Sequence, residues 1–272
     1  MLSRSASNDG WETSKNAACF DIRYVTGTSR VKPPFSIPEK NDREPDGLKL
    51  VHELFDRLSA NWSSSSALLP KPPSSENWRF EKQLAMANHN VNPETTLERT
   101  IAAITDENWA NQIPTVSGLA GASPHHLDLC HRSGSHYTLF ELKVEADTPL
   151  CAAFQVLRYG LAYAFSRTHA ELLEYKTSEK ELLRATAIHL CVLAPTMFYP
   201  DDDVWLLSLE RSLNAGLARF SSEISDLQVP MDFRFEAFPE WFDWEPKRCQ
   251  DESVRKDLLW ALHRRQPVFA GR

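Results

Sequence analysis

Asp128 and the tripeptide Glu141-Leu142-Lys143 lie on either side of a polar stretch, His131-Arg-Ser-Gly-Ser-His136, each within an otherwise apolar run. Twelve residues after Lys143 comes Gln155, followed at helical spacing by Tyr159. Two carboxylates are the hard oxygen donors that Mg²⁺ prefers, and the Leu142 carbonyl with waters can complete such a shell. Burying an ammonium beside two carboxylates on a half-apolar strand is costly unless another charge offsets it, and a divalent cation does so. The cation lowers the pKa of a bound water and stabilises charge developing on phosphorus. Lys143 can orient or deprotonate that water, or hold the anionic oxygen. This chemistry suits phosphodiester hydrolysis.

The groups meet only if local structure brings them together. Side chains alternate along a strand, so Glu141 and Lys143 share one face and Leu142 points away. Asp128 joins that face if the hairpin turn has an even number of residues. A two-residue Ser133-Gly134 turn puts it opposite Leu139, diagonal to Glu141, and a four-residue turn puts it opposite Glu141. An odd turn needs a bulge. Asp147-Thr148-Pro149 opens a helix running to about Arg167, on which Gln155 and Tyr159 share a face while Phe154, Leu157 and Leu161 pack on the sheet. Upstream, Asn92-Pro93-Glu94 reads as N-cap, first-position proline and first-turn acid. In that helix Glu98 sits beside the apolar stripe Leu97, Ile101 and Ile104, placed as an outer ligand for metal or water. Glu94 competes for the same role.

The remaining elements follow from periodicity. Residues 1–45 are polar, with one short strand expected at Phe20–Val25. A helix is expected over Leu48–Leu58, then a linker of Ser and Pro from Ser63 to Ser75. Residues 1–76 thus form an N-terminal tail, helix and linker, and 77–272 the main domain, with a core at 92–195 and an α/β extension at 196–272. Further helices are expected at Trp78–Asn88, Val204–Phe220 and Ser253–Arg264. Strands are expected at Gln112–Leu119, His126–His131, Tyr137–Val144, Ala185–Leu193 and Asp232–Phe238. The central order is α-β-β-β-α-β, a mixed α/β fold with helices on both sides of the sheet.

Bulk composition narrows the setting. With 272 residues and 42% hydrophobic content the chain can build one large domain or two small ones. Five cysteines without CxxC spacing, three of them in apolar runs, read as buried thiols of a reducing compartment. There is no apolar leader, and no window approaches the roughly 18 apolar residues of a spanning helix. No membrane association is therefore expected, and the cytoplasm is the default. The net charge of −7 argues against coating nucleic acid by bulk electrostatics. Residues 200–252, with thirteen acids against five bases, carry −8, while the last twenty residues are net +4.

Taken in order, the helix with Glu98, the strand with Asp128, the strand with Glu141-Leu142-Lys143 and the helix with Gln155 and Tyr159 resemble the core of the PD-(D/E)XK nuclease superfamily. The resemblance covers roughly residues 92–195, with His126-Leu127 in place of the proline-containing lead-in. It implies a restriction-endonuclease-like α/β/α core and dependence on Mg²⁺, with Mn²⁺ as a substitute. It also implies nucleic acid as partner, DNA ahead of RNA. Carried over by position, Asp128 and Glu141 match the metal carboxylates, Lys143 the catalytic lysine, Gln155 the polar residue of the next helix and Glu98 the first-helix glutamate. No DNA-reading domain or helicase accompanies the core, so a protein partner is expected to supply specificity, and a homodimer is compatible with it.

Other readings compete. Glu-x-Lys on a strand is commonly a solvated cross-strand ion pair. An inactive member of the fold serving as an interaction module, or a subunit of a defence or repair assembly, would keep the same pattern. His125, His126, His131 and His136 do not match a closed tetrahedral zinc site, because adjacent strand residues face opposite ways. No Gly-x-Ser-x-Gly elbow, Walker loop or GxGxxG is present. Asp201-Asp-Asp203 precedes a helix and compensates its dipole. Most of the aromatic C-terminal third should be core, and Phe238–Trp244 is the segment that would serve as a docking or base-stacking loop.

Overall fold

The computed structural model describes residues 46–66, 76–85, 92–115, 126–144, 148–200, 204–224 and 226–269; the strand expected at Phe20–Val25 lies outside them. Among the described residues are five α-helices: α1 (Gly47–Ser66), α2 (Pro93–Ile104), α3 (Pro149–Thr168), α4 (Val204–Glu223) and α5 (Glu252–His263). They flank one six-stranded open sheet in the order β1 (Trp109–Pro114), β2 (His126–Ser133), β3 (His136–Leu142), β4 (Ala187–Pro195), β5 (Met231–Phe238) and β6 (Gln266–Pro267). The first three strands form an antiparallel meander, β3, β4 and β5 run parallel, and β6 returns antiparallel at the edge. The observed order through the middle of the chain is α2-β1-β2-β3-α3-β4.

Each face of the sheet has its own apolar layer. Leu139, Leu190, Val192, Phe233 and Phe235 pack with α1, α3 and α4, and Phe140, Leu142, Cys191 and Leu193 pack with α2 and α5. β4 is apolar on both faces, as a central parallel strand must be. α2 starts where its cap requires: the Asn92 side chain accepts from the Thr95 N–H at 2.9 Å and Pro93 occupies the first turn. Thr148 caps α3 in the same way, accepting from Cys151 N–H at 3.2 Å.

Three expectations are corrected. The segment at Trp78–Asn88 is not helical across its described part; residues 79–85 run irregularly past β1. Its hydrogen-bonding groups go to that strand instead: Trp78 N–H donates to Pro114 O at 2.8 Å, Glu81 O accepts from Asn111 N–H at 3.3 Å, and Gln83 N–H donates to Asn111 Oδ1 at 2.7 Å. The helix expected over Leu48–Leu58 continues to Ser66, and its Leu50, Val51, Leu54 and Leu58 enter the main core. α1 therefore shares that core. The reading of the cysteines as thiols holds for Cys130 and Cys191, which are buried and free, and is corrected at Cys151, which is disulfide-bonded. No helix among the described residues is long and apolar enough to cross a membrane.

α1 docks on α4 with its backbone almost touching. A Cβ added to Gly216 would lie 2.4 Å from the Gly47 carbonyl carbon and 2.7 Å from Leu48 N. Backbone cannot yield as a side chain does, so Gly216→Ala should cost at least ~2 kcal/mol and lower the melting temperature by about 5 °C. A melting curve within about 1 °C of wild type would refute that close contact.

Candidate active site

The hairpin register decides which carboxylates meet. Ser133 pairs with His136, so the turn residues are Gly134 and Ser135 rather than Ser133 and Gly134. Gly134 has φ +63°, the left-handed conformation that a tight hairpin of this kind asks of its first central residue. The ladder continues to Leu129↔Phe140, which sets Asp128 opposite Glu141. A two-residue turn shifted by one position thus gives the arrangement that a four-residue turn had been expected to require.

The groups are held tightly. Leu142 N–H donates to Asp128 Oδ2 at 2.9 Å. Lys143 Nζ lies 3.0 Å from Glu141 Oε1, with side-chain exposures of 5% and 7%. The Lys143 main-chain N–H donates to Leu193 O at 3.0 Å, tying the end of β3 to β4. Asp128 keeps some accessible surface, yet protein surrounds its carboxyl closely. Desolvation, then the charges of Glu141 and Glu98, push its pKa well above the usual carboxylate range, against a smaller downward pull from Lys143. Burial alone would depress Lys143, but Glu141, Glu94 and Asp128 outweigh it and hold the amine above its ordinary pKa. Lys143 is therefore an ammonium throughout the neutral range.

Glu98 reaches this cluster from α2. Asn111 Nδ2 donates to its Oε1 at 2.6 Å and Gln112 Nε2 to its Oε2 at 2.6 Å. Desolvation nevertheless raises its pKa to about 7, with Glu141 adding to the rise. Glu94 and Glu98 were alternatives for one role. The structure gives each a different neighbour, Glu94 acting electrostatically on Lys143 and Glu98 on Asp128. The Glu98 partners went unforeseen, although a polar Asn-Gln pair between Ala110 and Ile113 was a visible interruption of an apolar strand. Gln112 has φ +50°, and pairing passes from Asn111↔Leu129 to Ile113↔Leu127 without including it. Left-handed backbone at a non-glycine residue is uncommon and costs energy. By register this position lies across the ladder from Asp128.

Gln155 is half-buried, and its Oε1 is buried with no hydrogen-bond partner among the described residues. Tyr159 is buried on the same helix face, and its phenol lies above its ordinary pKa through desolvation, with Glu141 and Asp128 contributing. His126 is half-buried; desolvation, Arg79 and Arg99 lower its pKa. His131 instead packs on Trp109, with ring centroids 4.6 Å apart and the rings tilted by 36°.

The cluster contains carboxylates of Asp128, Glu141 and Glu98 against one ammonium, that of Lys143. Such an oxygen-only, excess-negative set suits a hard divalent cation. Among the described residues no group of three His, Cys, Asp or Glu side chains is arranged to hold a metal alone. Backbone carbonyl and water ligands would have to complete the shell around Asp128 and Glu141.

The raised Glu98 pKa has a consequence for stability. The folded state binds a proton between pH 4.5 and about 7 that the unfolded chain has released, so this group's contribution falls as pH rises through that window. In EDTA, Glu98→Gln should flatten that decline and gain up to ~3 kcal/mol on wild type at pH 8. Denaturant titrations at pH 5 and pH 8 test it; parallel pH dependences in the two proteins would refute it.

Comparison with protein-family models, with curated proteins and with solved structures finds no match for this chain.

Proposed function

We propose that the chain is a divalent-cation-dependent hydrolase of nucleic-acid phosphodiester bonds, built on a core of the PD-(D/E)XK type. The observation that carries the reading is the meeting of Asp128, Glu141 and Lys143 at one end of β2 and β3, with Glu98 added from α2. Like-charged buried carboxylates are unfavourable by themselves and are characteristic of sites whose missing charge arrives with a ligand. The element order α2-β1-β2-β3-α3-β4 supports the same family reading.

Asp128 and Glu141, with the Leu142 carbonyl, would hold Mg²⁺ or Mn²⁺, which would supply an activated water and neutralise charge on the phosphoryl oxygens. Since Lys143 remains an ammonium, its role is to donate to an anionic phosphoryl oxygen, not to remove a proton. Gln155 Oε1, buried and with no donor among the described residues, would accept a hydrogen bond from the attacking water. The water oxygen bonds to phosphorus, the ester bond breaks, and the released proton goes to the leaving oxygen or to solvent. DNA is the preferred polymer and the cytoplasm the expected setting, with a protein partner or second copy supplying specificity.

A second reading is an inactive interaction module of the same fold. The existing Lys143–Glu141 ion pair favours it, because the amine is satisfied without a cation. The deciding assay incubates the full chain with single- and double-stranded DNA and RNA in Mg²⁺, Mn²⁺ or EDTA, beside Asp128→Ala and Lys143→Ala. Metal-dependent cutting lost in both variants is expected. Absence of both cutting and cation binding in wild type would leave only the module.

A further inference from the structure

Resting on that hydrolytic reading, we propose that a groove beside β5 and β6 binds unpaired bases of the substrate strand, so that the substrate is single-stranded or locally unpaired. The groove is a recess of about 640 Å³, lined among others by Tyr199, Ala237, Trp241, Arg264, Gln266 and Pro267. Trp241 is 51% exposed, and nearby Trp260 is 59% exposed. The Arg264 guanidinium stacks 4.4 Å from the centre of the Trp260 ring. Two accessible indoles and a stacked guanidinium are the flat, electron-rich and cationic surfaces on which a base can lie. Paired bases inside a duplex present no free ring face to such a surface.

Position connects the groove to the cluster. Leu142 pairs with Leu193, and the next level runs through Ala194↔Ala237 and Ala237↔Gln266. Lys143 therefore stands level with Ala237 and Gln266, both of which line the groove. At the strand spacing of ~4.8 Å these lie about 10 and 14 Å from it across the sheet. That span is three or four nucleotides at the ~3.4 Å stacked rise of one strand. A strand with its phosphodiester at Lys143 thus spans to the groove wall at Ala237 and Gln266 without leaving this end of the sheet.

Charge sets how the groove must work. The groove joins the acidic stretch 200–252 to the basic last twenty residues, so net phosphate attraction is modest there and stacking has to provide most of the affinity. The dependence on salt should accordingly be shallow, one or two phosphates' worth.

The test is fluorescence anisotropy of the full chain with a labelled oligothymidylate and with a duplex of equal length, in EDTA. Trp241→Ala and Trp260→Ala should each weaken single-strand binding about tenfold, in line with the loss of one stacked base. Trp241→Phe should restore most of it, and the duplex should bind more weakly than the single strand. Both side chains are largely exposed, and circular dichroism checks that the variants fold. Unchanged single-strand affinity in both alanine variants, or a duplex bound as tightly as the single strand, would overturn the groove. A wild-type chain that binds through the indoles yet never cuts in Mg²⁺ or Mn²⁺ would sink the hydrolytic reading and leave the groove standing.

Discussion

Asp128→Asn should raise the melting temperature of the metal-free protein by several degrees at pH 8 and reduce metal-dependent cleavage at least ~10²-fold. The two effects have one cause. Asp128 is crowded by Glu141 and Glu98 and by low-polarity surroundings, so its carboxylate form is disfavoured in the folded state. A group whose folded pKa is raised stabilises below its unfolded pKa, and that contribution disappears as pH rises through the folded value. At pH 8 the amide removes a penalty while its oxygen still accepts from Leu142 N–H. It also removes the anionic oxygen a cation needs. A variant less stable than wild type in EDTA would mean that the carboxylates do not repel one another as the geometry implies.

Lys143→Met should do the reverse to stability and the same to activity. The change keeps most of the buried stem and deletes the charge, leaving Glu141 at 7% exposure without its 3.0 Å partner. Breaking a buried pair from one side costs about 3–5 kcal/mol, roughly 10 °C for a domain of this size. Millimolar Mg²⁺ or Mn²⁺ should recover part of the loss, because a cation replaces the missing positive charge and binds only the folded form. Melting curves with and without cation check this directly. A Lys143→Met protein that melts like wild type in EDTA would show the ion pair to be dispensable, and with it the charge argument for the site.

Much of this arrangement was legible in the residues themselves. Asn92-Pro93 announced α2 because a cap and a first-turn proline act locally, and the α3 start at Thr148-Pro149 followed the same rule. β4 announced itself because nothing else accounts for so long an apolar run. Parity placed Asp128 on the face of Glu141, but Gly134 rather than Ser133 leads the turn, a choice that only the ladder settles. Trp78–Asn88 misled because its helical spacing competes with hydrogen bonds to β1, and those partners are distant in sequence. Asn111 and Gln112 were missed for a related reason: their use depends on Glu98 arriving from another element and on a backbone reversal at Gln112. In the aromatic C-terminal third, Phe238, Phe242 and Trp244 are buried while Trp241 is not. Composition cannot sort them, because exposure there follows from which way the loop after β5 turns.

The glycine contact between α1 and α4 bears on how the chain is made. α1 is translated well before α4, the helix whose backbone it touches. At ~5–20 residues per second of synthesis, the stripe of Leu50, Val51, Leu54 and Leu58 waits on the order of ten seconds or more before Gly216 and Leu217 exist. During that interval an amphipathic helix is exposed with its permanent cover not yet translated. Holding chaperones are therefore expected on nascent chains between the synthesis of α1 and that of α4. Slowing translation ahead of α4 should lower the soluble yield even though the finished fold is unchanged.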